Sequence, residues 1–270
     1  MRQKIKDIQN RYESFLKTPS LWKGNAVLDL TQFKSPKKTN RITIDVNKKL
    51  RLGKYIERLV SFQLSQEDHI DMLCENIQIQ QNKRTLGELD CIIKRDNTVI
   101  HLEIIYKFYL YDCTVGTSEI DHFIGPNRKD SLIEKLTKLK EKQLPLLYTK
   151  ECKEYLNSIN LQASQIAQQV YFKAQLFIPF SKKNITLEIL NNDCISGYYL
   201  NHEQLSQFSN CKFYIPNKKD WIIKPCKNVN WMNYPDFTDI CKEFYHKKYS
   251  PLCWFKQENG VILKIFMIWW

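Results

Sequence analysis

The sequence has no apolar stretch long enough to span a bilayer as a helix. Its longest apolar run, residues 261–270, is interrupted by Lys264 and falls well short of the roughly 20 residues a spanning helix needs. The opening Met1-Arg2-Gln3-Lys4-Ile5-Lys6 lacks the apolar centre of a secretory signal. The expectation is a soluble intracellular protein, of cytoplasm or nucleus. Neither GxxxxGK[ST] nor GxGxxG occurs, so ATPase and dinucleotide-binding readings have no residues to rest on. None of the nine cysteines is spaced CxxC, and the five histidines are scattered. That leaves no zinc-type ligand cluster to propose and predicts reduced cysteines. No internal repeat and no low-complexity tract is present.

What is there suits a folded chain. A hydrophobic fraction of 43% over 270 residues allows one sizeable core, or a core with a smaller lobe. The formal charge of +12 favours polyanions, because neutralising phosphates releases their counterions. The excess is mostly lysine in a chain also rich in Asn and Ile, so composition bias alone is a competing explanation.

Apolar residues at helical spacing predict a helix over 3–18, stopped by Pro19. Residues 25–50 read as irregular, with a turn-prone basic stretch at 34–38. A second helix is predicted over 53–66, then strands over 73–80, 88–95 and 98–111, rich in β-branched and aromatic residues. A long charged helix over 128–143, a further helical stretch over 149–168 and a strand over 170–180 follow. The order α-β-β-β-α-(α)-β predicts an α/β fold, a mixed central sheet flanked by helices. Beyond 181 the pattern becomes short strands, at 185–189, 194–200, 211–215, 221–224, 252–256 and 261–268, with a helix near 236–247. The predicted division is an N-terminal helix and linker over 1–50, a core over 51–180 and a β-rich lobe over 181–270. Trp221, Trp231, Trp254, Trp269 and Trp270 read as packing residues of that lobe.

Asp96-Asn97 suits a tight turn. A hairpin centred there pairs positions whose numbers sum to 193, which sets Asp90 opposite Glu103. Directly opposed side chains have Cβ atoms about 4.5–5.5 Å apart, and like charges there are destabilising. A shared proton or a hard cation such as Mg²⁺ relieves the repulsion; splaying into solvent is the bland alternative. Lys107 follows Glu103 by four positions on the same strand face. Glu57 falls at the edge of the apolar arc of the 53–66 helix, tilted toward the sheet.

A helix glutamate, a strand aspartate, and a glutamate and lysine on the hairpin partner resemble the PD-(D/E)XK (restriction-endonuclease-like) nuclease superfamily. More closely, the chain resembles a family described as domain of unknown function eighteen-fifty-three. That likeness rests on Leu52-Gly53-Lys54-Tyr55-Ile56-Glu57, Thr85-Leu86-Gly87-Glu88-Leu89-Asp90, His101-Leu102-Glu103-Ile104-Ile105-Tyr106-Lys107 and Phe123-Ile124-Gly125-Pro126-Asn127-Arg128-Lys129-Asp130, and is specific over 50–145. The superfamily resemblance implies Mg²⁺ (or Mn²⁺) on Asp90, Glu103 and the Ile104 carbonyl, Glu57 as accessory, and Lys107 beside the attacking water. The motif's usual lysine position holds Ile105; Lys107 keeps the face but lies ~6.6 Å further along the strand.

Arg128, Lys129, Lys135 and Gln143 are expected as nucleic-acid contacts beside the cleft, against the plainer reading of a solvated charged face. His101 shares a face with Glu103 and reads as structural. The expectation is a metal-dependent phosphodiesterase acting on nucleic acid, on DNA in preference to RNA. The alternatives are a nuclease-like fold that binds without cutting, and a basic scaffold protein.

Overall fold

A computed structural model of the chain describes residues 2–35, 41–46, 49–182 and 184–270. Residues 36–38 of the expected basic stretch lie outside them. The fold is mixed α/β, as the sequence predicts, and the chain forms two compact units, neither continuous in sequence.

The first unit takes Met1–Tyr12, Ser20–Tyr106 and Glu134–Lys173. It holds most of helix α1 (Arg2–Lys17) and all of α2 (Leu52–Leu64), whose residues Tyr55, Ile56, Leu59, Val60, Phe62 and Leu64 are buried. Strands β1 (Ile70–Gln81), β2 (Arg84–Arg95) and β3 (Thr98–Tyr111) form an antiparallel meander. Both hairpin turns carry a non-glycine residue at positive φ, Asn82 at 55° and Asp96 at 52°, a conformation that Asn and Asp tolerate better than most residues. The second turn pairs Arg95 with Thr98, and the ladder runs to Cys91 opposite Leu102, the register predicted from Asp96-Asn97. Leu89 and Ile92 pack with Leu146, Leu147, Cys152, Leu156 and Ile166 in a buried cluster; Cys152 and Leu156 come from α4 (Lys150–Ser158) and Ile166 from β5 (Ile166–Pro179).

The predicted long helix over 128–143 is not one helix. Gly125 N–H donates to the Asp130 carbonyl, and Arg128 N–H donates to the Gly125 carbonyl, with Arg128 at φ +54°. This closed turn has no room for a side chain at Gly125, where a Cβ would lie 2.0 Å from Asp130 Oδ1. The α-helix α3 therefore starts only at Leu132 and ends at Lys138; a π turn over Leu139–Gln143 and a 3₁₀ turn over Leu144–Tyr148 follow. The helical stretch expected over 149–168 likewise shortens to α4.

The second unit takes Glu13–Pro19, Lys107–Ile133 and Ala174–Trp270. Here β3 pairs with β4 (Phe123–Ile124), and β5 runs parallel to β6 (Ile195–Asn201), which runs parallel to β9 (Ile262–Ile268). Strands β8 (Leu252–Lys256) and β7 (Lys212–Tyr214) extend the sheet antiparallel. Phe213 stacks on Phe237 of α5 (Tyr234–His246), with ring centroids 4.3 Å apart, and Phe208 and Phe255 close this core.

Two expected strands are absent. Over 185–189 the Glu119 carboxylate accepts from the N–H groups of Glu188, Ile189 and Leu190, so those donors need no neighbouring strand. The 221–224 segment begins as a 3₁₀ turn, Lys218–Ile222, that buries Trp221. All nine cysteines are free, and no helix among the described residues is long and apolar enough to cross a membrane.

Candidate functional site

Asp90 is the centre of the site. Continuing the β2–β3 register one step past Cys91 and Leu102 sets it opposite Glu103, and its Oδ2 accepts from the Ile104 main-chain N–H at 2.8 Å. Burial first, and the Glu103 charge second, push the Asp90 carboxyl up to about 8. The Ile104 hydrogen bond offsets part of this, and Glu57 adds to it. The like-charge conflict read from the hairpin register is thus present electrostatically.

Glu103 is fully buried and its two oxygens are engaged. Oε2 accepts from Gln143 Nε2 at 2.6 Å, and Oε1 lies 3.2 Å from His101 Nε2. The surrounding bonds fix which atom donates. Gln168 Nε2 reaches both the Leu144 carbonyl at 2.7 Å and His101 Nδ1 at 3.1 Å. The carbonyl requires the amide nitrogen on that side, so Nδ1 is the acceptor and Nε2–H donates to Glu103. On the other flank Lys135 Nζ donates to Gln143 Oε1 at 2.7 Å, which aims the amide N–H₂ at Glu103. Gln143 closes the π turn, and such turns occur often at functional sites. A buried histidine that reads as structural in sequence is therefore a direct partner of Glu103.

Helix α2 supplies Glu57, as expected, and also Lys54, which the helical pattern places on the polar stripe. Lys54 Nζ donates to Glu57 Oε2 at 2.7 Å, to Asn76 Oδ1 at 2.9 Å and to Glu88 Oε1. Burial draws the Lys54 ammonium down, but its bonds to Glu57 and Glu88 outweigh that and hold its pKa above the usual lysine value. Burial raises the Glu57 carboxyl, against the pull of Lys54. Glu88 stands two positions before Asp90 on β2; period-two alternation was the signal that could have added it to the site. Asn76, at φ +56° within β1, had no such signal. Nearby, Arg58 pairs with Glu75 at 2.8 Å.

Carboxylate oxygens of Glu57, Glu88 and Asp90 all lie within 4.8 Å of one another. Hard oxygen donors at that separation are of the kind that could hold a divalent cation such as Mg²⁺ or Mn²⁺. The expected ligand set was Asp90, Glu103 and the Ile104 carbonyl. Asp90 is common to both sets, Glu103 is bonded to His101 and Gln143, and Ile104 meets Asp90 through its N–H.

Lys107 belongs to the second unit, where its ammonium lies 2.5 Å from Asp130 Oδ2. Of the expected nucleic-acid contacts, Gln143 and Lys135 join the Glu103 network. Arg128 is in the turn before α3 rather than on a helix; its guanidinium meets Asp112 Oδ2 at 3.0 Å and lies over the Trp270 ring. Lys129, on the same turn, is exposed.

The fold and site define a mixed α/β protein with a carboxylate cluster set on a β-hairpin and the helix before it. The chain belongs to the family described as Domain of unknown function (DUF1853), whose model matches residues 8–264. No curated protein and no solved structure matches it.

Proposed function

We propose that the chain is a metal-dependent nuclease of the PD-(D/E)XK type, hydrolysing phosphodiester bonds in DNA with Mg²⁺ or Mn²⁺. The observation that carries the reading is Asp90, its Oδ2 held by the Ile104 N–H, with the Glu103 charge and the Glu57–Glu88 pair crowding it. Such a concentration of carboxylate charge is costly unless a cation or a proton relieves it. A bound divalent ion supplies Lewis acidity toward a phosphoryl oxygen and a more acidic water.

The chain's own residues have separable roles. Asp90, Glu57 and Glu88 present oxygens. Glu103 is kept oriented by His101 and Gln143, as second partners orient metal-site carboxylates elsewhere. Lys54 is the cation already bonded to the cluster; it is placed to compensate charge that develops on the phosphoryl oxygens. The net charge of +12 favours a polyanionic substrate.

A second reading, a nuclease-like fold that binds nucleic acid without cutting, is favoured by Lys107. Its ammonium is engaged by Asp130, and Ile105 occupies the motif's lysine position. Purified protein incubated with single- and double-stranded DNA and RNA, with and without Mg²⁺ or Mn²⁺, separates the two. Divalent-dependent cleavage supports the first, and retention without cleavage the second.

A further inference from the structure

The second unit contains a cavity of about 400 Å³ that the carboxylate site does not use. That is within the size range of small-ligand pockets. Its walls are aromatic and basic. Tyr245, Trp269 and Trp270 contribute rings, and Lys242, His246 and His202 contribute cationic or titratable groups; Glu203 is the acid of the lining, and Lys242 Nζ also donates to Asp239 Oδ1 at 2.8 Å from outside it. Tyr245 is 52% exposed, and its ring meets His202 edge-on at 6.4 Å between centroids.

Cations sit on the indole rings as well. The Lys248 ammonium is 5.6 Å from the Trp269 ring centre, and the Arg128 guanidinium is 4.4 Å from that of Trp270. His202 Nε2 and Trp269 Nε1 are themselves shut off from solvent, so it is the ring faces and not these nitrogens that the cavity presents.

We infer that this cavity binds a nucleoside phosphate, the base stacked against Tyr245 and Trp269 and the phosphate drawn to Lys242 and His246. A free anion would need no aromatic wall, and an apolar ligand would need neither the lysine nor the histidines. A flat heteroaromatic joined to a phosphate uses both, and base–aromatic stacking tolerates any base identity. Sequence alone assigns Trp269 and Trp270 to packing; their place on the wall of a cavity gives them this second role. The ligand is either a free nucleotide or an unpaired nucleotide of a strand, and the strand form rests on the nucleic-acid reading above.

The test uses the full chain in EDTA, so that cleavage plays no part. Thymidine 5′-monophosphate, a short single-stranded oligothymidylate and inorganic phosphate are titrated while tryptophan fluorescence and heat are followed. The expected result is binding with quenching by both nucleotide probes, at least tenfold tighter than phosphate. Tyr245→Ala should weaken it about tenfold while Tyr245→Phe restores it, and Asp90→Asn should leave it unchanged. Tighter binding of the oligonucleotide than of the mononucleotide, with the difference lost in Tyr245→Ala, assigns the strand form, and equal binding assigns the free nucleotide. Phosphate binding as tight as nucleotide, no binding of either nucleotide, or indifference to Tyr245→Ala would overturn the inference. Because Asp90 is spared, the outcome does not depend on whether the carboxylate site cuts.

Discussion

The Ile104 main-chain N–H donates to Asp90 Oδ2 at 2.8 Å across the β2–β3 hairpin. That bond ties the residue after Glu103 to the carboxylate Glu103 repels, so the pair is fixed by backbone geometry and cannot splay apart freely. The conflict is built into the strand register.

Its first consequence is pH-dependent stability. Asp90 is raised from 3.8 to about 8 in the folded chain. Folding therefore favours the protonated acid; the contribution is full below pH 3.8 and is lost as the pH rises through about 8. Asp90→Asn should flatten this slope and exceed wild type at alkaline pH by a few kcal/mol, since each tenfold change in acidity is worth about 1.4 kcal/mol. Urea unfolding of both proteins at about pH 5 and about pH 9 checks it. Parallel slopes would show that Asp90 does not carry the strain.

A second prediction concerns the support of Glu103. Gln143→Leu removes the donor to a buried carboxylate and leaves Lys135 without that acceptor. Stability should fall by about 1–3 kcal/mol, and affinity for Mn²⁺ by roughly 10- to 100-fold, measured by calorimetry. Wild-type affinity in this variant would mean that Glu103 orientation is irrelevant to the cluster.

The hairpin register was legible in sequence because two residues determine it. Asp96-Asn97 makes the turn, Asp96 takes φ 52°, and the sum of 193 follows along the ladder. Glu57 was legible from the helix's apolar arc. Lys54 was not, because its contacts to Glu88 and Asn76 come from residues 34 and 22 positions away. The break in the 128–143 helix was hidden for a related reason. Charged residues continue through it; Gly125-Pro126-Asn127 marks the start of the closed turn, while its reach to Asp130 depends on main-chain bonds that composition does not show. Over 185–189, apolar alternation resembled a strand, but Glu119 meets the donors instead.

The two lysines are separable by mutation. If Lys54 stabilises developing charge, Lys54→Ala should slow cleavage on the order of 10²-fold. Lys107→Ala should do the same if the lysine of the resemblance is the active one, and otherwise change little. Single-turnover rates of the two variants decide, provided both bind substrate as wild type does. A wild-type rate in both would remove lysine from the mechanism.

Gly197 offers a test of the second unit. A Cβ there would lie 2.1 Å from the Lys264 main-chain carbonyl, which belongs to the neighbouring strand β9. Gly197→Ala should therefore destabilise by about 1–3 kcal/mol, seen as a lowered thermal midpoint. An unchanged midpoint would contradict the β6–β9 pairing as described.

The central claim is most directly tested by thermal unfolding of wild type and Asp90→Asn, each titrated with Mn²⁺ and each assayed for cleavage of DNA in the same buffer. A ligand that binds only the folded state raises the midpoint. The account predicts a metal-dependent rise and metal-dependent cleavage in wild type, with both lost in a folded Asp90→Asn. An identical metal response in the two proteins, or cleavage that survives the substitution, would contradict it.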